Sequence, residues 1–416
     1  MPLTDPRIGQ PMRSRTIGAL LAVGVVAAAV VLRAPITAVP PALHTISLDL
    51  GLSAAAAGAT TSLPLVCFGI FAFVAPVLVV RVGLEATMVL LAVPLLVGVL
   101  LRSAGGAVAF YTGALLIGVG IAIGNVVLPA LIRARFPGHL ALMLGVYVAV
   151  LQISGAVGSA LTDPLQTWLG WDWRPALAVW AVPVAALVPL WWWIAGRVAR
   201  PGGPTRPPSG LGHVVRHRLP WAVTIFMAVQ AAVFYSLLTW IPAHLTAQGV
   251  STSTAGLVLG LFSLLGLPGA FIGPQFATGP HARLFIGTVY GVQAFSMLLF
   301  GLGPVVAVLA ALLCGLCQGA GFSIALTFIA DQPDPHDVPA VSAMAQGLGY
   351  LAAALGPMGL GAVYEATGSW WWPDLLVVAA ALVVLVVGGA VGARIHRRHD
   401  LGRLRPSAGE GSADEA

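Results

Sequence analysis

The sequence is short of charge. Aspartate, glutamate, lysine and arginine together make up 8% of its 416 residues, whereas a soluble domain carries about 25%. That shortage excludes a water-soluble enzyme or a nucleic-acid binder. Lysine is absent altogether, so all twenty basic residues are arginines. Cysteine is scarce, and three cysteines cannot build a disulfide framework. Cys67, Cys314 and Cys317 lie inside apolar runs. Without a soluble thioredoxin-like setting, the Cys314-x-x-Cys317 spacing carries no redox meaning, and all three read as small packing residues. A phosphate-binding loop, a metal-ligand cluster and a nucleophile–base arrangement are also missing. The acid-rich stretch from Asp331 to Asp337 holds Pro333 and Pro335 and reads as a solvated connector, not a metal site. No cofactor is expected, and no polar segment is long enough to fold as a nucleotide-binding domain.

What fills the chain instead is apolar sequence: 58% of residues are hydrophobic and the mean hydropathy is +0.95. The runs are continuous, unlike the alternating ten-residue segments of a membrane β-barrel. A helix needs about 20 apolar residues to cross a bilayer. Runs bounded by Gly, Pro and charge predict twelve such spans, at roughly 16–43, 54–80, 86–102, 107–132, 140–164, 174–196, 220–246, 254–277, 284–301, 304–330, 339–364 and 373–393. The first, preceded by Arg7, Arg13 and Arg15, resembles a signal peptide. It lacks a convincing cleavage context and reads as an uncleaved helix. The organisation expected is an N-terminal half over 1–196, a basic linker over 197–219, a C-terminal half over 220–393 and a disordered tail over 394–416.

Sorted by span, all but three of the twenty arginines fall on one side of the membrane if both termini are cytoplasmic. Arginine-rich loops stay cytoplasmic, so an inner-membrane protein with both termini inside is expected. Arg102 and Arg174 fall on the outer side, and Arg33 lies within the first span. Tryptophans are expected in two interfacial belts, with Trp168, Trp171, Trp173, Trp370, Trp371 and Trp372 outside and Trp191, Trp192, Trp193 and Trp221 inside.

The halves repeat. Gly51-Leu52-Ser53, Ala57-Gly58 and Pro76 match Gly249-Val250-Ser251, Ala255-Gly256 and Pro274 at one constant offset. Ala114-Leu115-Leu116, Gly118 and Gly124 match Ala311-Leu312-Leu313, Gly315 and Gly321 at nearly the same offset. An all-α integral membrane fold follows, with twelve transmembrane helices in two pseudo-symmetric six-helix halves, an arrangement used by secondary transporters.

Particular segments sharpen this. They are Leu32-Arg33-Ala34-Pro35-Ile36-Thr37, Asp49 to Ser53, Leu63-Pro64 with Cys67-Phe68-Gly69, Arg81 to Glu85, Tyr235 to Pro242, and Ser342 to Tyr350 with Gly356-Pro357. On them the chain resembles the major facilitator superfamily and, within it, the cyanate transporter and 2-nitroimidazole exporter family. Two positions depart from the pattern: Val31 replaces a frequent Asn, and Val80 stands where an acid usually precedes Arg81. The resemblance implies alternating access around a central cavity lined by spans one, four, seven and ten, with two, five, eight and eleven beside them. It implies a small, often anionic or nitro-bearing substrate.

Arg33 is the one ionisable residue expected well inside a span, where a charge costs about 2.5–3.5 kcal/mol. It reads either as an anion-binding cation facing the cavity or as a structural residue that snorkels to Asp49 or bonds carbonyls freed by Pro35, Pro40 and Pro41. No acid is expected deep in any span. A cavity with one guanidinium and no carboxylate favours anions or neutral polar solutes, since the planar fork matches carboxylate, cyanate or nitro oxygens. Further candidate substrate-binding residues are Gln346, Tyr350, Asn125, Gln152, Gln230, Tyr235, Trp240 and Gln318; Trp240 reads equally as part of the outer aromatic belt. The expected partners are a small-molecule substrate and the lipid bilayer, with no nucleic acid, and a monomer is expected. The rival function is drug or nitroimidazole efflux through a mainly aromatic site, with Arg33 structural.

Overall fold

The computed structural model describes residues 10–197 and 211–403. Arg7, most of the expected linker (198–210) and most of the expected tail (404–416) lie outside the described residues. Described backbone is helical almost throughout. Twelve helices are long and apolar enough to cross a membrane, from Ile17–Thr37 to Trp371–Leu401. Helix is the form this composition demands, because inside a bilayer every backbone N–H must find its partner within the segment.

Prolines decide where the expected helices break. The first span is not one rod but three pieces, Gln10–Val31, Ala34–Thr37 and Val39–Leu50. Pro35 has no N–H for the carbonyl four residues back, at Val31, where the first piece ends. Pro40 and Pro41 withdraw two more donors. The eleventh span breaks likewise into Val338–Ala353 and Leu355–Thr367, because Pro357 leaves the Ala353 carbonyl without its donor.

The sequence repeat is also a structural repeat. Gly51 and Gly249 adopt left-handed backbone, with φ of 63° and 88°. Ser53 and Ser251 then cap the second span (Ala54–Val82) and the eighth (Thr252–Phe276), each side chain accepting a backbone N–H three residues on. Such a cap satisfies one of the orphan donors at a helix start.

The halves meet along two pairs of spans, two with eleven and five with eight. At the end remote from the chain termini, Ala55 N–H donates to Glu365 at 3.2 Å and Met358 N–H donates to Ser62 Oγ at 3.2 Å. Gly58 passes so close to the Pro357 carbonyl that no side chain fits between them. In the other pair, between spans five and eight, Gln152 Nε2 donates to the Ser263 carbonyl at 2.7 Å. The bundle is therefore sealed at this end.

Several expectations about charge and tryptophan are corrected. Trp173 and Trp191 are fully buried core residues, not belt residues, whereas Trp168 and Trp192 are exposed. Two described acids are buried although both stand in the first turn of a span, where acids were expected: Glu85, paired with Arg135 at 2.6 Å, and Asp374, 3.6 Å from His244. Asp49 turns away from Arg33 and binds Arg174 at 2.7 Å and the Trp173 indole at 3.3 Å. Arg102, expected on the outer side of the membrane, stands in the last turn of the third span and is 2% exposed. Its third span ends beside the broken segment of span one, and its guanidinium donates to the Pro35 carbonyl at 2.6 Å. That carbonyl gives the side chain a polar partner in the interior that its position near the span end does not reveal.

Candidate functional site

The interruption of span one is what exposes Arg33. The residue precedes the short helix Ala34–Thr37 with φ −122° and ψ −48°, outside helical backbone. Side chains of span five stitch the break. Ser154 Oγ accepts the Ala34 N–H at 3.2 Å and donates to the Val30 carbonyl. Thr162 Oγ1 donates to the Ala38 carbonyl at 2.9 Å. Backbone groups on both sides of the break are thus given side-chain partners, and non-helical backbone is tolerated in a span where it lines a cavity.

The Arg33 guanidinium crosses to the other half. Its Cζ lies 4.8 Å from the Phe234 ring centroid, a cation–π contact. Among the described residues no carboxylate pairs with it, and its Nε is buried without a hydrogen-bond partner. The hydroxyls of Tyr147, Tyr235 and Tyr350 lie within electrostatic reach. Phe68, Tyr235 and Tyr350 pack edge to face, with centroids 5.4–6.4 Å apart. A narrow cavity opens between Arg33, Asn125, Phe68, Tyr235, Leu151 and Ile36, drawing on spans one, two, four, five and seven. The centre of a water-sized sphere has about 10 Å³ to move in, which is room for about one water. This is a tight, closed state of the cavity.

Of the candidates named from sequence, the structure brings Arg33, Asn125, Tyr235 and Tyr350 together. The others stand elsewhere. Gln346 donates to Ser342 Oγ at 2.8 Å on its own helix. Gln152 is committed across the interface between halves. Gln230 is buried against Met227 Sδ at 3.3 Å, and Gln318 is buried in span ten with both amide atoms unpartnered. Trp240 is a buried strut whose indole donates to the Pro357 carbonyl at 2.8 Å, not a belt residue. Phe68 and Phe234 were missed. Phe68 lies in a segment that carried the family resemblance, and Phe234 adjoins Tyr235, so both were signalled only by neighbours.

The arrangement can bind a small solute through one fixed cation, the amide of Asn125 and tyrosine hydroxyls, between aromatic walls. Among the described residues no group of acids, histidines and cysteines could hold a metal ion.

Known proteins agree with this architecture. An uncharacterized transporter, YycB, of Bacillus subtilis is 35% identical over 84% of this chain and 88% of its own. The 2-nitroimidazole transporter of Escherichia coli is 33% identical over 84% of this chain and 90% of its own. The cyanate transport protein CynX of Escherichia coli is 29% identical over 82% and 88%. A sequence profile of the Major Facilitator Superfamily matches residues 25–357. With twelve membrane-length helices in two repeated halves and a polar cavity between them, this chain belongs to the Major Facilitator Superfamily of membrane transporters.

Proposed function

We propose that this transporter carries a small anionic or nitro-bearing organic solute of the cyanate or nitroimidazole class, with Arg33 as the substrate-binding cation. One observation carries the reading. A guanidinium that cannot lose its proton sits between the halves at a proline break with no described carboxylate to neutralise it. A solute oxygen pair would complete its fork. Two relatives are named for 2-nitroimidazole and cyanate transport, which fits that chemistry. In this reading the sealed end of the bundle is the outer one, both termini are cytoplasmic, and the halves rock about Arg33. The N-terminal half, basic linker and C-terminal half then act as the moving parts and their tether.

The test is a ligand-stabilisation screen of the purified protein against small anions and nitro compounds, repeated on Arg33→Gln, with uptake measured in proteoliposomes. A ligand whose stabilisation and uptake vanish in Arg33→Gln is expected. Unchanged affinity and uptake would overturn the assignment.

The aromatic walls support a second reading, efflux of flat, largely apolar compounds with Arg33 structural. Arg33→Gln would then leave affinity for such compounds intact, whereas Phe68→Ala or Tyr235→Ala would lose it.

A further inference from the structure

His244 and Asp374 are titratable side chains that the transport reading leaves unused. Both are buried, 6% and 9% exposed, near the sealed end of the C-terminal half. His244 lies in the last turn of span seven (Arg218–Ala247) and Asp374 in the first turn of span twelve (Trp371–Leu401). Nδ1 of the imidazole stands 3.6 Å from Oδ1 of the carboxylate, in electrostatic contact but beyond hydrogen-bond length. Among the described residues no arginine pairs with Asp374. Span ten brings the Cys314 thiol within electrostatic reach of the carboxylate, and span eleven brings the Tyr364 phenol, stacked on Trp370. Thiols and phenols are neutral at neutral pH. Glu365, next in the chain, is exposed and accepts the Ala55 N–H across the interface. A carboxylate beside a neutral imidazole leaves one net negative charge in this poorly solvated place, and an uncompensated buried charge costs several kcal/mol. One added proton makes the pair neutral overall, whichever partner carries it.

Stacked rings join the pair to the seal. The Trp370 ring lies 4.9 Å from the His244 ring, 4.3 Å from Tyr364 and 5.6 Å from Trp240. Its indole N–H is buried without a partner, so packing alone fixes the ring. Trp240 in turn donates to the Pro357 carbonyl and lies so close to Gly361 that no side chain fits between them. Pro357 and Gly361 are also the residues that meet Gly58 and Ala54 of the other half. Pro357, Gly361 and Tyr364 all belong to the second piece of span eleven, Leu355–Thr367. That piece therefore touches both the opposite half and the rings beside the pair.

We infer that His244 and Asp374 form a proton-binding site that is loaded while this end of the bundle is sealed and discharged when it opens. Separation of spans two and eleven shifts the Leu355–Thr367 piece, loosens the ring stack and lets water reach the carboxylate. The pair then releases its proton to that water, and it takes one back from water before the end seals again. The coupling is reciprocal, so protons favour the sealed state as much as the sealed state favours the proton. The sealed population is therefore greatest at low pH and declines as the pH rises through the titration of the pair.

The proton site is independent of the substrate proposed above, and its test uses no substrate. Spin labels are attached at Thr167→Cys and Ala366→Cys, exposed positions near the sealed end in opposite halves; the native cysteines are buried. The distance between the labels is followed in the purified full-length protein from mildly acidic to mildly alkaline pH. A longer distance should gain population as the pH rises, with the slope of a single proton. Asp374→Asn copies the protonated carboxylate and should keep the short distance at every pH. In His244→Gln the midpoint should fall by at least about one pH unit, a tenfold loss of proton affinity. That variant decides the matter if Asp374→Asn does not fold. Arg33→Gln should respond as the parent does. A distance that ignores pH in the parent, a response kept in Asp374→Asn, a midpoint unmoved in His244→Gln or a response lost in Arg33→Gln would each overturn the inference. Failure of the Arg33 transport assignment, with the Asp374 dependence intact, would leave it standing.

Discussion

The hydroxyl of Ser154 occupies the place where a helix would bond Ala34 to Val30. It accepts the Ala34 N–H at 3.2 Å and donates to the Val30 carbonyl, so one side chain of span five completes both halves of a missing i→i−4 bond. Insertion of a side chain into the helical ladder is a recognised cause of a sharp break. Here it fixes the segment on which Arg33 stands. Removing it leaves a buried donor and a buried acceptor unmatched. Ser154→Ala should cost about 1–3 kcal/mol for each group left open, seen as a lower melting temperature, with transport falling more than protein level does. A variant that melts and transports like the wild type would separate the break from the site.

Phe234 contributes to the site from the opposite half. Its ring lies under the Arg33 guanidinium, 4.8 Å away. A cation–π contact is worth about 0.5–2 kcal/mol depending on desolvation. Phe234→Leu keeps an apolar side chain but removes the π face. The half-saturating substrate concentration should rise by about 2- to 30-fold, with expression unchanged. Equal affinity in Phe234→Leu and wild type would mean that Arg33 is held by its own backbone alone.

Much of this was legible in the sequence because it is local. Span positions follow from apolar length, and the matched Gly-x-Ser starts of spans two and eight follow from cap chemistry at Ser53 and Ser251. Arg33 stood out because a charge inside an apolar run has no ordinary reason to be there. The aromatic walls were not legible. With 15 phenylalanines in the chain, nothing local separates Phe68, which lines the cavity, and Phe234, which packs on the Arg33 guanidinium, from rings such as Phe271 and Phe295, which are exposed on the bundle surface. The burial of Arg102 was hidden for a related reason. A charge near the end of a span is read as interfacial, and only packing of span three against the break in span one turns it inward. That the glutamines stand apart from Arg33 was not legible either, because a polar side chain in a membrane helix bonds a neighbouring helix as readily as a solute.

Glu85 and Arg135 tie the start of span three to the end of span four, with contacts of 2.6 Å and 2.7 Å. The Glu85 side chain is only 5% exposed, so the pair is largely shielded from water and salt. Breaking a buried ion pair by removing one charge costs about 3–5 kcal/mol. Part of the Arg135 side chain is exposed, so the lower end of that range or less is expected. Glu85→Gln should therefore lower the melting temperature clearly while leaving substrate affinity untouched, since the pair stands away from the Arg33 cavity. A loss of affinity without a loss of stability would contradict this assignment.

Gly58 sets how closely the halves approach at the sealed end. Its Cα faces the Pro357 carbonyl with no room for a Cβ, and the neighbouring bond from Met358 N–H to Ser62 Oγ depends on the same approach. Backbone on both sides leaves no flexible side chain to yield, so Gly58→Val should drive spans two and eleven apart at that level. The closed state would lose population to states open at this end, because a bulky residue penalises only the conformation in which the surfaces touch. Access to a cysteine introduced nearby reports the shift. The native Cys67, Cys314 and Cys317 are buried and supply a low background. With Ser62→Cys as the reporter, maleimide labelling should be slow in the parent and several-fold faster with Gly58→Val added, while transport falls because the cycle can no longer close. Equal labelling in the two proteins would show that the halves separate and meet through other contacts.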